Sequence, residues 1–342
     1  MEKKTVLASA TITIILIAVA VAFFNQSRAE NENHAGTKLY VDPNMIKEET
    51  KMPPFTFYVN ISIYNVTNMV FCEFNLSYAH EFLTVTRIEC SKVQGQYPSP
   101  YVNSNSEKGY VYVRLTYKNP VSLPETSASL FYIEFTALDY GVTPLDLNDT
   151  SLKDGDGHLI PHEAEDGFVW IIKRDVAIIN VSTSTSETYV GHIVNVQVTT
   201  QNMGIIAENY KINVSTNGEL IAQLQVVDLQ PNETCVLAFD WDTSGFAPNM
   251  TPYTITAEAE ILPYETNTTN NVFTGVQVKI KLVGDINGNG IVNIDDLTLW
   301  DAAFNSRPSE PNWNPQADIN GDGIVDKEDG ILIIQNYQSS LG

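Results

Sequence analysis

The chain has 342 residues, too many for one small core, and two or three domains are expected. Its 41 acidic and 19 basic side chains leave a formal net charge of -22, which repels phosphate and argues against a nucleic-acid partner. Such acidity suits a soluble surface or one that gathers cations.

The N-terminus reads as an export signal. Lys3 and Lys4 precede an uncharged apolar run from about Thr5 to Phe24, close to the ~20 residues that span a bilayer. Ser27-Arg28-Ala29 then offers small residues at the two positions a signal peptidase reads. A cleaved signal and an uncleaved anchor both fit. Either leaves the remainder extracellular or at the cell surface, because Lys3 and Lys4 stay in the cytoplasm. Residues 1–36 are assigned to this signal or transmembrane anchor and a polar tether.

From 37 to 173 the pattern is strand, turn, strand. Phe55, Phe57, Val59, Ile61 and Ile63 alternate with polar positions, as do Val70, Cys72, Phe74, Leu76 and Tyr78. Tyr110 to Leu115 and Leu130 to Phe135 are further strands. With no helical periodicity, two packed antiparallel sheets are expected. Cys72 and Cys90 are free to bridge if their strands are neighbours, since export permits a disulfide; the other reading makes Cys72, Cys90 and Cys235 small buried strand residues. Asn-x-Ser/Thr sequons recur at Asn60, Asn65, Asn75, Asn148, Asn180, Asn213, Asn232, Asn249 and Asn267.

Tyr40-Val41-Asp42-Pro43, Asn65-Val66-Thr67-Asn68-Met69, Glu73-Phe74-Asn75-Leu76-Ser77-Tyr78 and Phe82-Leu83-Thr84-Val85 follow in an order that resembles a cohesin domain. The stretch from Leu147-Asn148-Asp149-Thr150 to Asp166-Gly167 is similar to the end of that family. The resemblance implies a jelly-roll sandwich that receives a dockerin. Cys72 stands where the family often has an aromatic residue, and Ala79-His80-Glu81 where an Asp-Pro commonly follows the Tyr.

A second β domain is expected over 174–281. Val194, Val196 and Val198 alternate, as do Cys235, Leu237, Phe239 and Trp241, and Tyr253, Ile255, Ala257, Ala259 and Ile261. Asp175-Val176-Ala177-Ile178, Asn202-Met203-Gly204, Leu229-Gln230-Pro231-Asn232-Glu233-Thr234, Phe239-Asp240-Trp241-Asp242-Thr243 and Glu265-Thr266-Asn267 to Asn270-Asn271 are similar to a CARDB domain, an immunoglobulin-like module of surface proteins. That resemblance implies a spacer or adhesion role without chemistry.

The residues that carry chemistry lie in 282–342. Asp285, Asn287, Asn289, Asn293 and Asp296 occupy loop positions 1, 3, 5, 9 and 12, and Asp318, Asn320, Asp322, Asp326 and Asp329 repeat the spacing 33 residues on. Ca²⁺ is a hard cation that takes about six to eight oxygens, and side chains at a spacing of two converge on one point. The carbonyls of Ile291 and Ile324 supply position 7, and Gly290 and Gly323 make the sharp turn at position 6. Two structural Ca²⁺ ions are expected. The metal is expected to supply folding energy, because so short a segment buries little apolar surface.

Asp replaces the EF-hand Glu at position 12 in both loops, and one helix follows each. Leu297, Trp300 and Phe304 form an apolar face after the first loop; Leu332, Ile333 and Tyr337 do so after the second. This arrangement resembles a type I dockerin. In that family positions 10 and 11 help select the cohesin, which marks Ile294, Asp295, Lys327 and Glu328 as partner-binding; the unlike pairs imply a single docking orientation.

Other candidates read as ordinary surface. Asp154-Gly155-Asp156-Gly157 lacks later ligands and reads as a turn, His158 and His162 as loop residues, and Glu163, Glu165 and Asp166 as a solvated acidic loop rather than a glycosidase pair. No nucleophile elbow, zinc helix or phosphate loop occurs, so no catalytic residue is assigned. The expectation is mostly β: a jelly-roll cohesin-like sandwich and an immunoglobulin-like one, then a small α-helical dockerin with two EF-hand-like loops. It implies a non-catalytic assembly or adhesion protein. Its partners are a cohesin-bearing protein, a dockerin-bearing protein or a second copy head to tail. The alternative is a carbohydrate-binding component of a polysaccharide-degrading system.

Overall fold

Period-two burial organises both halves of the chain. The computed structural model describes residues 36–341, which divide into two units between Lys173 and Arg174. The proposed export signal lies outside the described residues, among which no helix is long and apolar enough to cross a membrane.

In the first unit two long strands set the architecture: β3 (Phe55–Ser77) and β6 (Tyr110–Ala137). They pair antiparallel twice, Phe55–Tyr64 against Ser127–Ala137 and Phe71–Ser77 against Tyr110–Thr116, with register shifts between. Asn65 and Asn68 sit in that break with φ of 51° and 59°, a left-handed backbone that Asn tolerates. The break re-aims the strand, so each of the two ends contributes to a different layer. Around β3 and β6 the first layer adds β1 (Lys38–Asp42), β8 (Glu163–Glu165) and β4 (Leu83–Cys90). The second adds β2 (Met45–Glu48), β5 (Ser99–Asn105), β7 (Gly141–Asp154) and β9 (Gly167–Ile171).

Two details differ from the sequence expectation. Tyr110–Leu115 and Leu130–Phe135 are the two ends of one strand, β6. Pairing is also not wholly antiparallel: β1–β8 and β2–β9 are parallel, which the long connections between them permit. Val59, Ile61, Phe74, Leu76, Phe131 and Phe135 are fully buried between the layers, with Phe74 edge-on to Phe131 at 5.8 Å. The cysteines are free thiols. Cys72 pairs with Leu115 and Cys90 with Phe131, at opposite ends of β6, and only Cys72 is fully buried.

The second unit begins with two facing sheets. One has β10 (Val176–Thr183), β12 (Ile193–Asn202) and β15 (Thr234–Asp242); the other runs β11 (Glu187–Tyr189), β17 (Val272–Lys281), β16 (Tyr253–Ala259), β13 (Glu208–Thr216) and β14 (Glu219–Leu229). Val194, Val196 and Val198 point into this core with Tyr210, Ile212 and Trp241. The alternation at 253–261 ends early, because β16 stops at Ala259 and leaves Ile261 63% exposed.

Two helices follow, α1 (Ile294–Ala303) and α2 (Lys327–Gln335). They pack through Trp300 and Gly330: a Cβ at Gly330 would fall 2.6 Å from Cζ2 of the indole. The indole N–H donates to the Asp326 carbonyl at 2.9 Å. Ile286, Val292, Ala303, Ala317, Ile319, Val325 and Ile333 form the small core, which Tyr189 of β11 completes. Phe304 and Tyr337 lie at its rim, 45% and 42% exposed.

Candidate functional site

The two loops before α1 and α2 are held by the same bonds. In the first, the Asn289 and Gly290 N–H groups donate to Asp285 Oδ1 and Oδ2 at 3.0 and 2.9 Å. In the second, Asp322 and Gly323 donate to Asp318 Oδ1 and Oδ2 at 3.1 and 2.9 Å. Asp296 Oδ1 accepts from Ile286 and Asn287 at 2.8 and 3.2 Å; Asp329 Oδ1 accepts from Ile319 and Asn320 at 2.7 and 3.1 Å. Thus the position-12 carboxylate reaches back to the start of its own loop.

The side chains at positions 3 and 5 are exposed, and each accepts a bond from the backbone two residues on. Asn287 Oδ1 accepts from Asn289, and Asn289 Oδ1 from Ile291; Asn320 Oδ1 accepts from Asp322, and Asp322 Oδ1 from Ile324. Asn293 and Asp326 cap the helices, accepting from Asp295 and Glu328 at 2.7 Å each. Asp296 and Asp329 return the bond to the cap backbone at 2.9 and 2.8 Å, completing a capping box at each helix start. This capping role goes beyond the ligand role expected of Asp296 and Asp329 from the sequence, and an Asn or Asp followed three positions later by an acid is its signal. Gly290 and Gly323 each have φ +84°, so both turns use the left-handed backbone that glycine supplies.

The loops also brace each other. Asn305 donates to the Val325 carbonyl at 2.7 Å, and Val325 N–H to Ser306 at 3.0 Å. Gln338 donates to the Val292 carbonyl at 2.8 Å, and Val292 N–H to Ser339 at 2.9 Å. The residues after each helix therefore pin position 8 of the other loop.

Electrostatics single out the loops. Asp285, Asp296 and Asp329 are 0–1% exposed, yet among the described residues none forms an ion pair. Burial, together with the charges of Asp329 and Asp322, holds the Asp318 carboxyl above its usual range. Backbone N–H groups satisfy these buried carboxylates in part, and with no ion pair of their own they favour a cation close by. The donors are all oxygen, with no thiol or imidazole in either loop. A hard divalent cation fits this set.

Two residues outside the sequence-predicted set belong to the site's surroundings. Tyr189 donates its hydroxyl to the Gln316 carbonyl at 2.6 Å. Lys281 is 1% exposed, with its ammonium 4.7 Å from the Tyr189 ring centre, hydrogen-bonded to Gln316 Oε1 and 3.6 Å from Glu187. Burial pulls its pKa down. Strand alternation gave no signal for either, because their partner is a segment far along the chain. The partner-selecting candidates Ile294, Asp295, Lys327 and Glu328 are all exposed.

The other candidates are occupied structurally. Asp154, Asp156 and His158 bring ligand atoms within 4.8 Å of one another, but Asp154 Oδ1 is taken by the N–H groups of His158 and Asp156 in an exposed turn. His162 uses both ring nitrogens, on the Ile160 carbonyl and Thr150. Glu165 pairs with Lys38, and Asp166 accepts from Leu147 at 2.7 Å. Two exposed tyrosines sit in separate pairs: Tyr101 meets half-buried Tyr112 edge to face, and Tyr58 stacks on half-buried Tyr132.

Residues 283–337 match the dockerin type I domain family, and residues 173–275 match the CARDB family. Neither is an enzyme family. No curated protein matches the chain. Among solved structures, the chain is similar to a non-cellulosomal cohesin from the archaeon Archaeoglobus fulgidus, with 18% identity over 41% of this chain and 93% of that one and a TM-score of 0.34. It is similar to a chain of a type I cohesin–dockerin complex from Clostridium thermocellum, with 16% identity over 40% and 99% and a TM-score of 0.34. It is also similar to a CARDB domain from Pyrococcus furiosus, solved with di-metal ions, at 26% identity over 32% and 89% with a TM-score of 0.27.

Proposed function

We propose that this chain is a non-catalytic, extracellular assembly protein whose residues 282–342 are a calcium-dependent dockerin. The observation that carries the reading is the pair of loops with matching bonds around buried carboxylates, inside a segment that matches the dockerin family. Asp285, Asn287, Asn289, Asn293, Asp296 and the Ile291 carbonyl hold one Ca²⁺ in an EF-hand-like loop. Asp318, Asn320, Asp322, Asp326, Asp329 and the Ile324 carbonyl hold the other. When bound, the ion supplies the positive charge that offsets the clustered carboxylates.

The chain's own residues do the rest. Asp296 and Asp329 tie each loop to its helix start. The cross-braces at Val292 and Val325 fix the two helices relative to each other. Ile294, Asp295, Lys327 and Glu328 then meet a cohesin-bearing partner, and because the two pairs are unlike, one docking orientation is preferred. Residues 37–173 act as a cohesin-like receptor and 174–281 as a spacer, so copies join head to tail. The carbohydrate-binding alternative would need a flat row of rings, and the separate tyrosine pairs do not favour it.

Light scattering of the full chain tests this reading. Oligomers that grow with protein concentration in calcium and revert to monomer in chelator are expected. A strict monomer at high-micromolar concentration in calcium contradicts head-to-tail assembly. Exchanging Ile294/Asp295 for Lys and Glu, and Lys327/Glu328 for Ile and Asp, in separate variants should change affinity unequally; two unchanged affinities contradict the single orientation.

A further inference from the structure

The two loops share a bond pattern but not a charge. At the five side-chain positions the first loop offers two carboxylates, Asp285 and Asp296, with amides at Asn287, Asn289 and Asn293. The second offers four, Asp318, Asp322, Asp326 and Asp329, with one amide at Asn320. Position 11 is acidic in both, Asp295 and Glu328, and cancels from the comparison.

The surroundings widen the difference. Lys279 donates its ammonium to the Gly288 carbonyl inside the first loop at 2.6 Å. Lys281, wholly buried on the neighbouring strand end, runs along the same loop, its Cδ 3.7 Å from where a Cβ on Gly288 would sit, and Glu187 at 3.6 Å offsets its charge only in part, being 44% exposed. A buried positive charge is weakly screened, so it opposes a divalent ion more than a surface one does. The lysine at the second loop is Lys327, which is exposed and screened by water. The near-identical bond lengths in the two loops leave charge, not shape, as the distinguishing variable.

We infer that the two calcium sites are unequal: the 318–329 loop fills first and tightly, and the 285–296 loop, facing Lys279 and Lys281, is the weak site that fills at higher calcium. The inference rests on the calcium reading above and adds an order of filling to it. Ligand charge tunes the affinity of such loops over several decades, so a separation of at least about tenfold is expected. The order has a structural consequence. The first ion orders α2, whose following residues Gln338 and Ser339 pin Val292 in the weak loop. Partner-binding competence of Ile294 and Asp295 then tracks the second, weaker filling step.

Calorimetric titration of calcium into the calcium-stripped full chain separates the possibilities. Two resolved events at least about tenfold apart are expected. Asn289→Asp adds a carboxylate to the first loop and should tighten the weaker event only. Asp322→Asn removes one from the second loop and should weaken the tighter event; both changes keep side-chain size. Lys279→Met should tighten the weaker event as well. Two equal events, or an Asp322→Asn effect confined to the weaker event, overturn the inference while leaving the calcium reading intact. Complete absence of calcium binding overturns that reading and the order of filling with it.

Discussion

The first sandwich and the C-terminal segment solve the same problem with opposite materials. In the sandwich the largest fully buried side chains are Phe74, Phe131 and Phe135, and stability comes from apolar area removed from water. In the segment Asp285, Asp296 and Asp329 are buried as deeply as Val292 and Ile333. A small segment has too little apolar area to order itself, and its polar interior answers to whatever neutralises it. One region should therefore ignore its ionic surroundings and the other should depend on them.

That contrast can be broken from either side. The largest effect is expected from Phe131→Ala, which opens a cavity beneath Phe74 and should cost the first sandwich about 3–5 kcal/mol. Denaturant unfolding followed with and without chelator checks it; the loss should be the same in both. A loss that changed with calcium would mean that the two regions are not separate in kind.

How far the sequence foretold this contrast varies by element. The turns at 285–296 and 318–329 were legible because their side-chain spacing repeats and each has a glycine at the one place that takes a left-handed backbone. The strands were legible wherever one face is buried and the other wet, as at Phe55–Ile63. What escaped depends on partners distant in the chain. Nothing local says that Tyr110 and Ala137 belong to one strand, or that β8 lies parallel to β1. Lys281 is the sharpest case: a lysine at a strand end reads as exposed, and it is buried because Tyr189 and Gln316 close over it. The matched capping boxes were visible in the sequence but were hidden behind the ligand reading of the same residues.

Smaller effects sharpen the picture within the second unit. Gly330→Ala would set a Cβ against the Trp300 indole, which α1 holds in place. Overpacking of about 1–3 kcal/mol should outweigh the helix-propensity gain of up to about 1 kcal/mol. Thermal unfolding in saturating calcium reads the sign, and a stabilised variant would show that the helices do not pack through that contact. Tyr189→Phe removes the hydroxyl that binds the Gln316 carbonyl and should cost about 1 kcal/mol. Its melting temperature should fall slightly with the sandwich signal unchanged. No shift would show that the buried bond contributes nothing to joining β11 to the C-terminal segment.

The measurement that bears most directly on the account is amide hydrogen exchange across the full chain, with calcium and then with chelator. The account predicts that chelation strips protection from α1, α2 and the cross-braces at Val292 and Val325, and leaves β3 and β6 of the first sandwich protected as before. Equal protection of 285–341 in both conditions would contradict it.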